Sequence, residues 1–280
     1  MAPLGKLVVC ALAMALYAAP GLARQSGGQS DSTPGWPLHN SAPGHAMPDP
    51  VVPLPPVISD TDESCILWTV TRAQAPTIST ATMQVPGKAK GEYRKGCADL
   101  RDKKPASAES HLRKAVEEYP RYAMAWVLLG QLMDMGNQAE EARSACLQAS
   151  SVDANYAPAY LCLADVASQS KKWSQTRDLA DRALALDPLE NVYGYFYSAV
   201  AEYHLVQLPE AEKSALQTIA ADRFHRLPQA HLLLAEIYAA RQDFKGEAAQ
   251  LRAFLKVAPK SPDSDGVRKS LAELETQISK

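Results

Sequence analysis

The chain has 280 residues, 46% of them hydrophobic, and a net charge of −2. That proportion is ordinary for a folded globular protein. Nothing in that charge balance suggests a nucleic-acid binder, which would carry a basic patch or stripe, and it gives no reason to expect an anionic membrane as partner. Most of the 20 prolines lie before residue 90, and Ala, Leu and Glu dominate afterwards, which marks the main boundary in the chain.

Residues 1–23 read as a secretory signal peptide. Lys6 gives the positive start, Leu7–Ala19 is an uncharged, mostly apolar run of 13 residues, and Pro20 breaks it before the small-x-small site Gly21-Leu22-Ala23. A membrane-spanning helix needs about 20 apolar residues, so cleavage after Ala23 is expected. Cys10 does not make a lipoprotein site, because Val9 before it is not small. The expected mature chain, 24–280, is soluble, without stable membrane insertion, and periplasmic or secreted.

Residues 24–64 form a Pro-rich linker expected to be disordered, with Pro48, Pro50, Pro53, Pro55 and Pro56 stiffening it toward polyproline II. The run Val51–Pro56 reads as a spacer; its alternative is a ligand for an aromatic groove. His39 and His45 lack carboxylate or thiol companions, and Asp60, Asp62 and Glu63 lack the remaining ligands of a calcium loop, so no metal is expected. Residues 65–87 are expected to be extended, with short strands over the β-forming stretches Cys65–Thr71 and Thr77–Val85. Four cysteines follow the signal peptide. Cys65–Cys97 and Cys146–Cys162 are conceivable pairs, but the favoured expectation is four free, buried thiols acting as small hydrophobes.

From Lys88 the chain repeats. Gly96, Gly130 and Ala164 are spaced 34 apart, as are Ala108, Ala142 and Thr176; Ala115, Ala149 and Ala183; and Pro120, Ala154 and Pro188. The step continues as 35 from Ala164 to Ala199 and 36 from Ala199 to Ala235. Each copy predicts two amphipathic helices joined by a short turn such as Met135-Gly136-Asn137. Small residues stand where the helices cross, and large ones (Trp126, Leu129, Tyr160, Leu163, Leu234) lie beside them. Proline terminates the second helix, since it cannot continue a helix interior. A single hairpin cannot bury its apolar face alone, so neighbours must stack. At the end, Val267, Leu271, Leu274 and Ile278 form one apolar stripe, the signature of a last helix that covers the open core.

Trp126, Leu129, Gly130, Ala142 and Cys146, then Tyr160, Leu163, Ala164, Ala183 and Pro188, follow the pattern W-x2-L-G-x2-Y…A-x3-F…P. The chain resembles the tetratricopeptide-repeat family, in an exported bacterial form, over 89–261. Departures are Met133 and Ala167 in the place of Tyr, Glu92 in the place of Trp, Ser198 in the place of Leu, and extra residues at His225–Leu227. The resemblance implies an all-α, right-handed superhelical solenoid of about five helical hairpins (89–122, 123–156, 157–190, 192–225, 228–261) with a capping helix over 262–280. It also implies that the first helices line a concave groove that holds a peptide or partner helix. The implied groove residues are Tyr93, Met124, Val127, Gln131, Leu161, Asp165, Tyr193, Phe196, Tyr197, Val200, Leu232 and Glu236. These are not the Lys, Asn and Arg with which some family members clamp a terminal carboxylate. The aromatic cluster Tyr193, Tyr195, Phe196, Tyr197 and Tyr203 is either an anchor pocket or core. Phe196 is expected to face the groove, and Trp173 to lie at a turn away from it.

No catalytic motif is present: no GxSxG, Walker loop, HExxH or GxGxxG. The sequence therefore predicts a non-enzymatic scaffold without cofactor that binds a protein or peptide through its concave face, with a cell-envelope assembly as its expected setting. The alternatives are a structural spacer tethered by its Pro-rich segment, or a non-catalytic regulatory subunit of an envelope enzyme.

Overall fold

A computed structural model describes Cys65, 84–188 and 191–279. Among these residues there are eleven helices and no strand: α1 (Gly87–Arg101), α2 (Pro105–Glu118), α3 (Ala123–Met135), α4 (Ala139–Val152), α5 (Ala157–Gln169), α6 (Trp173–Leu186), α7 (Val192–His204), α8 (Leu208–Ala221), α9 (Gln229–Ala240), α10 (Phe244–Val257) and α11 (Ser264–Ile278). The signal peptide, the linker and most of the expected extended segment lie outside the described residues. At that segment's end, Gly87 already begins α1 rather than extending a strand.

The helices pair as five hairpins, each packed on the next, and α11 closes on α10. The two members of a hairpin differ in composition because they differ in surroundings. First helices such as α3, AMAWVLLGQLMDM, are apolar nearly all round and bury ten residues. They are sandwiched between their own second helix and the second helix of the preceding repeat. Second helices such as α4 bury one stripe, Ala142, Ala145, Cys146 and Ala149, at the i, i+3, i+4, i+7 spacing of an amphipathic surface helix.

Every hairpin turn has the same construction. Lys103, Asn137, Lys171, Val206 and Gln242 adopt positive φ, between 55° and 62°. The next residue's N–H donates back to a carbonyl five residues earlier: Lys104 to Asp99, Gln138 to Met133, Lys172 to Ala167, Gln207 to Glu202 and Asp243 to Tyr238, at 2.8–2.9 Å. This is a Schellman closure, which satisfies carbonyls left open at the end of a helix. The left-handed residue is not glycine in any of the five.

The connections between repeats are braced by aromatics. Trp126 Nε1 donates to the carbonyl of Pro120 at 2.8 Å, Tyr160 Oη to Ala154 at 2.9 Å and Tyr195 Oη to Pro188 at 2.8 Å. Each ring packs while its polar tip meets a backbone acceptor just past the preceding helix. In the end repeats a polar pair replaces the aromatic: Glu92 accepts from His111 at 2.6 Å, and His231 pairs with Gln250 at 2.8 Å. Lys95 and His111 together hold the Glu92 carboxyl down at about 2. Ser198, in the place of Leu, is buried and donates to Asp181 at 3.2 Å.

The free-thiol expectation is overturned. Cys65 is bridged to Cys97, with Cα atoms 5.6 Å apart, and Cys146 to Cys162, at 5.7 Å. Both Cα separations are those of a disulfide. The second bridge joins α4 to α5, hence one repeat to the next. It also explains Gly130: a Cβ there would lie 2.7 Å from Cys146 Sγ, 3.0 Å from Cys162 Sγ and 3.1 Å from the Ala142 carbonyl.

The groove face as candidate binding site

One residue per first helix recurs at the same register: Tyr93 on α1, Val127 on α3, Leu161 on α5, Phe196 on α7 and Leu232 on α9. One turn along stand Cys97, Gln131, Asp165, Val200 and Glu236. Side chains in equivalent positions on successive first helices form a strip running across the repeats, because the hairpins stack in order and α3, α5, α7 and α9 each pack on the next.

The expected groove residues do not gather in one open pocket. Tyr93 and Val127, with partly buried Met124 against them, belong to the core of the first repeats. Leu161, Tyr193, Phe196, Tyr197 and Val200 belong to the core of the third and fourth, and Leu232 to the last. The strip Tyr93–Val127–Leu161–Phe196–Leu232 is only 0–5% exposed, and Gln131 is buried as well. Asp165 and Glu236 are partly exposed. Trp173 does not lie in the turn: it is the first residue of α6, and its ring stacks on His204 at 3.8 Å.

A polar chain runs through this face and joins three first helices. Gln169 Nε2 donates to Asp134 Oδ2. Asp134 and Asp165 are hydrogen-bonded to each other. Tyr197 Oη donates to Asp165 Oδ1 at 2.8 Å. Two carboxyls can share a hydrogen bond only if one carries a proton. Burial, and then the Asp134 charge, push Asp165 up to about 8. Asp134 is raised by burial, and Tyr197 by burial and the neighbouring Asp165. Farther along, Tyr203 Oη donates to Glu236 at 3.4 Å. Beside it Glu247, at the register where three other repeats have Ala and one has Thr, is pushed up to about 7 by burial and then by the Glu236 charge.

Asp134, Gln169 and Tyr203 were absent from the sequence-derived groove. Asp134 meets Asp165 only because α3 packs on α5, and no one-dimensional spacing carries that contact. Among the described residues, no group of three or more His, Cys, Asp or Glu is placed to hold a metal.

Comparison with known proteins agrees with this architecture. A family model described as tetratricopeptide repeat matches residues 99–161, which span the second helix of the first hairpin, the whole second hairpin and the start of the third. Residues 99–161 carry the tetratricopeptide repeat. The chain's repeats are similar in fold to a thermophilic TPR protein of Thermus thermophilus, at 18% identity and a TM-score of 0.55 over 67% of this chain and 99% of that one. They are also similar to PilW, described as a widely conserved type IV pilus biogenesis factor, at 15% identity and a TM-score of 0.59 over 69% and 93%. MamA (41-end) of Desulfovibrio magneticus RS-1 follows at 15% identity and a TM-score of 0.53 over 64% and 99%. At these identities the likeness is one of fold. No curated protein matches the sequence.

Proposed function

We propose that this tetratricopeptide-repeat chain is an exported, non-catalytic scaffold that holds a protein or peptide partner along the face of its first helices, within a cell-envelope assembly. The observation that carries the reading is the strip Tyr93–Val127–Leu161–Phe196–Leu232. It places one apolar side chain per repeat, at constant register, on the first helices of all five hairpins. A linear partner reads a surface of that form one pocket at a time.

Export is supported by the leader sequence and by the two disulfides, which persist in oxidising compartments. An envelope role is supported by the likeness in fold to PilW, whose own description is in pilus biogenesis. Among the described residues, no helix is long and apolar enough to cross a membrane.

The test is crosslinking in the native envelope with identification of the captured protein, comparing Phe196→Ala with Trp173→Ala, each shown folded by circular dichroism. Loss of an aromatic anchor typically costs about 2 kcal/mol or more in affinity. Capture should therefore fall with Phe196→Ala and persist with Trp173→Ala. The reverse pattern would move the interaction off the groove face.

A further inference from the structure

A single apolar side chain on a protein surface calls for no explanation by itself. Phe224, in the α8–α9 connector, differs in three respects: the length of its loop, the order of that loop and the charge around the ring.

The connectors between hairpins take four residues at 119–122 and 153–156 and five at 187–191, but seven at Asp222–Pro228. Arg223, Phe224 and His225 in this longer loop are all exposed. Phe224 keeps 57% of its surface, the highest value of any large hydrophobic side chain among the described residues.

The loop is nevertheless fixed. Asp222, only 4% exposed, accepts the amides of Arg226 and Leu227 at 3.0 and 2.7 Å. The His225 amide donates to the Asp222 carbonyl at 3.2 Å, and His225 turns the backbone with φ 51°. Leu227 anchors the far side in the core, in the same cluster as Tyr193 and Phe196. A ring held out on a loop pinned at both ends loses little conformational freedom when it binds.

The charge around the ring is uncompensated. The Arg226 guanidinium lies over Phe224, 5.4 Å from the ring centroid. Arg113, Arg177, Arg241, Arg252 and Arg268 are each paired with a carboxylate. Among the described residues no salt bridge takes up Arg223 or Arg226. The loop therefore presents one apolar ring beside two guanidiniums without a counter-ion.

That composition selects the chemistry of the partner. A guanidinium pairs with a carboxylate through two parallel hydrogen bonds. Aromatic and arginine side chains supply most of the binding energy at protein interfaces. Lipid-directed basic clusters carry about 4–8 Lys or Arg, and this loop has two arginines.

We propose that Arg223, Phe224 and Arg226 form a docking site for an acidic segment of a partner protein, with Phe224 as the apolar anchor and the two arginines receiving carboxylates. None of the strip residues Tyr93, Val127, Leu161, Phe196 and Leu232 belongs to this site, so it stands or falls apart from the groove reading.

The test uses the full mature chain and three probes: a fluorescent peptide of alternating Glu and Leu, its counterpart of alternating Lys and Leu, and vesicles of phosphatidylglycerol with phosphatidylcholine. The Glu–Leu peptide should bind, more weakly as salt is added. Phe224→Ala and Arg223→Glu/Arg226→Glu should each weaken it by about ten-fold or more. The charge-reversed variant should instead gain the Lys–Leu peptide, an outcome that a merely structural role for the arginines would not produce. Phe224→Ala should keep the wild-type melting temperature, because so exposed a ring packs on little; this variant carries the test should the double substitution disturb the fold. Failure of the Glu–Leu peptide to bind, or binding that neither variant weakens, would overturn the proposal. So would vesicle binding that needs Phe224 in the absence of peptide binding, which would assign the loop to a lipid surface.

Discussion

At the scale of single residues, glycine at 130 and the carboxyl pair show two ways in which packing sets chemistry. Gly130 is demanded by the bridge beside it, because the nearest atom to an added Cβ is a disulfide sulfur at 2.7 Å, with backbone at 3.1 Å on another side. Neither gives way as a flexible side-chain tip would. Gly130→Leu should destabilise by about 1–3 kcal/mol, the ordinary cost of overpacking, and Gly130→Ala should already be measurable in thermal melts. An unchanged melting temperature for both would mean that the bridge does not pass under α3. Asp165 makes a prediction in pH. Its folded carboxyl is held at about 8 against an ordinary 3.8, so the folded chain binds this proton more tightly than the unfolded chain does. Stability from this site is full below the unfolded value and is lost as pH rises toward and through the folded one, between roughly 4 and 8. The groups facing the pair are Gln169 and Tyr197, neither of them a cation to offset the second charge. Asp165→Asn should flatten the wild-type decline of melting temperature across that window and exceed wild type at its alkaline end. A wild-type profile already flat there would place the two carboxyls in water.

At the scale of elements, the hairpin turn is the feature that the sequence concealed. The 34-residue register was legible because small residues at helix crossings are compulsory: Gly96, Gly130, Ala164, Ala199 and Ala235 fall at one crossing, and all are buried. The left-handed turn residues were not, because they are Lys, Asn, Lys, Val and Gln, and side-chain identity does not announce that backbone. Gly136, the glycine of the second turn, has φ −83° and merely precedes the left-handed Asn137. The same reason separates what could and could not be read of the groove. Its strip follows from register, whereas its burial, its disulfides and the Asp134–Asp165 contact depend on which helices and segments meet in space. Val206 is the turn residue least suited to its place, β-branched at φ 62° and 45% exposed. Asparagine adopts that conformation far more readily, so Val206→Asn should stabilise by about 1 kcal/mol. Equilibrium urea unfolding checks this, and a loss of stability would show that the Val206 side chain makes packing contacts that outweigh its backbone cost.

At the scale of the whole repeat array, each hairpin touches only its neighbours, so stability is a sum of local terms and the array is free to open from an end. The covalent ties are unevenly distributed along it. Cys65–Cys97 ties the chain ahead of the array to the first repeat and Cys146–Cys162 joins the second repeat to the third, closing separations of 32 and 16 residues. On chain-entropy grounds each contributes about 3 kcal/mol or somewhat more. The last two repeats have no such tie. They also carry the longer α8–α9 connector, which Asp222 orders by accepting the Arg226 and Leu227 amides at 3.0 and 2.7 Å. They include Glu247 as well, a carboxyl in a small-residue position whose burial works against ionisation. The closing helix α11 buries only Ser264, Val267 and Leu274, and is held to α10 in part by the exposed Arg252–Glu275 pair at 2.6 Å. Exposed pairs of that kind contribute about 1 kcal/mol at most. Native-state hydrogen exchange should therefore find a gradient, with α9–α11 opening at the lowest free energy and α3–α5 at the highest. Reduction of both bridges should lower protection in α1–α5 and leave α9–α11 nearly unchanged. Uniform protection along the array, or a loss on reduction that reached α11, would mean that the repeats unfold as one cooperative block and that the bridges act on all of it.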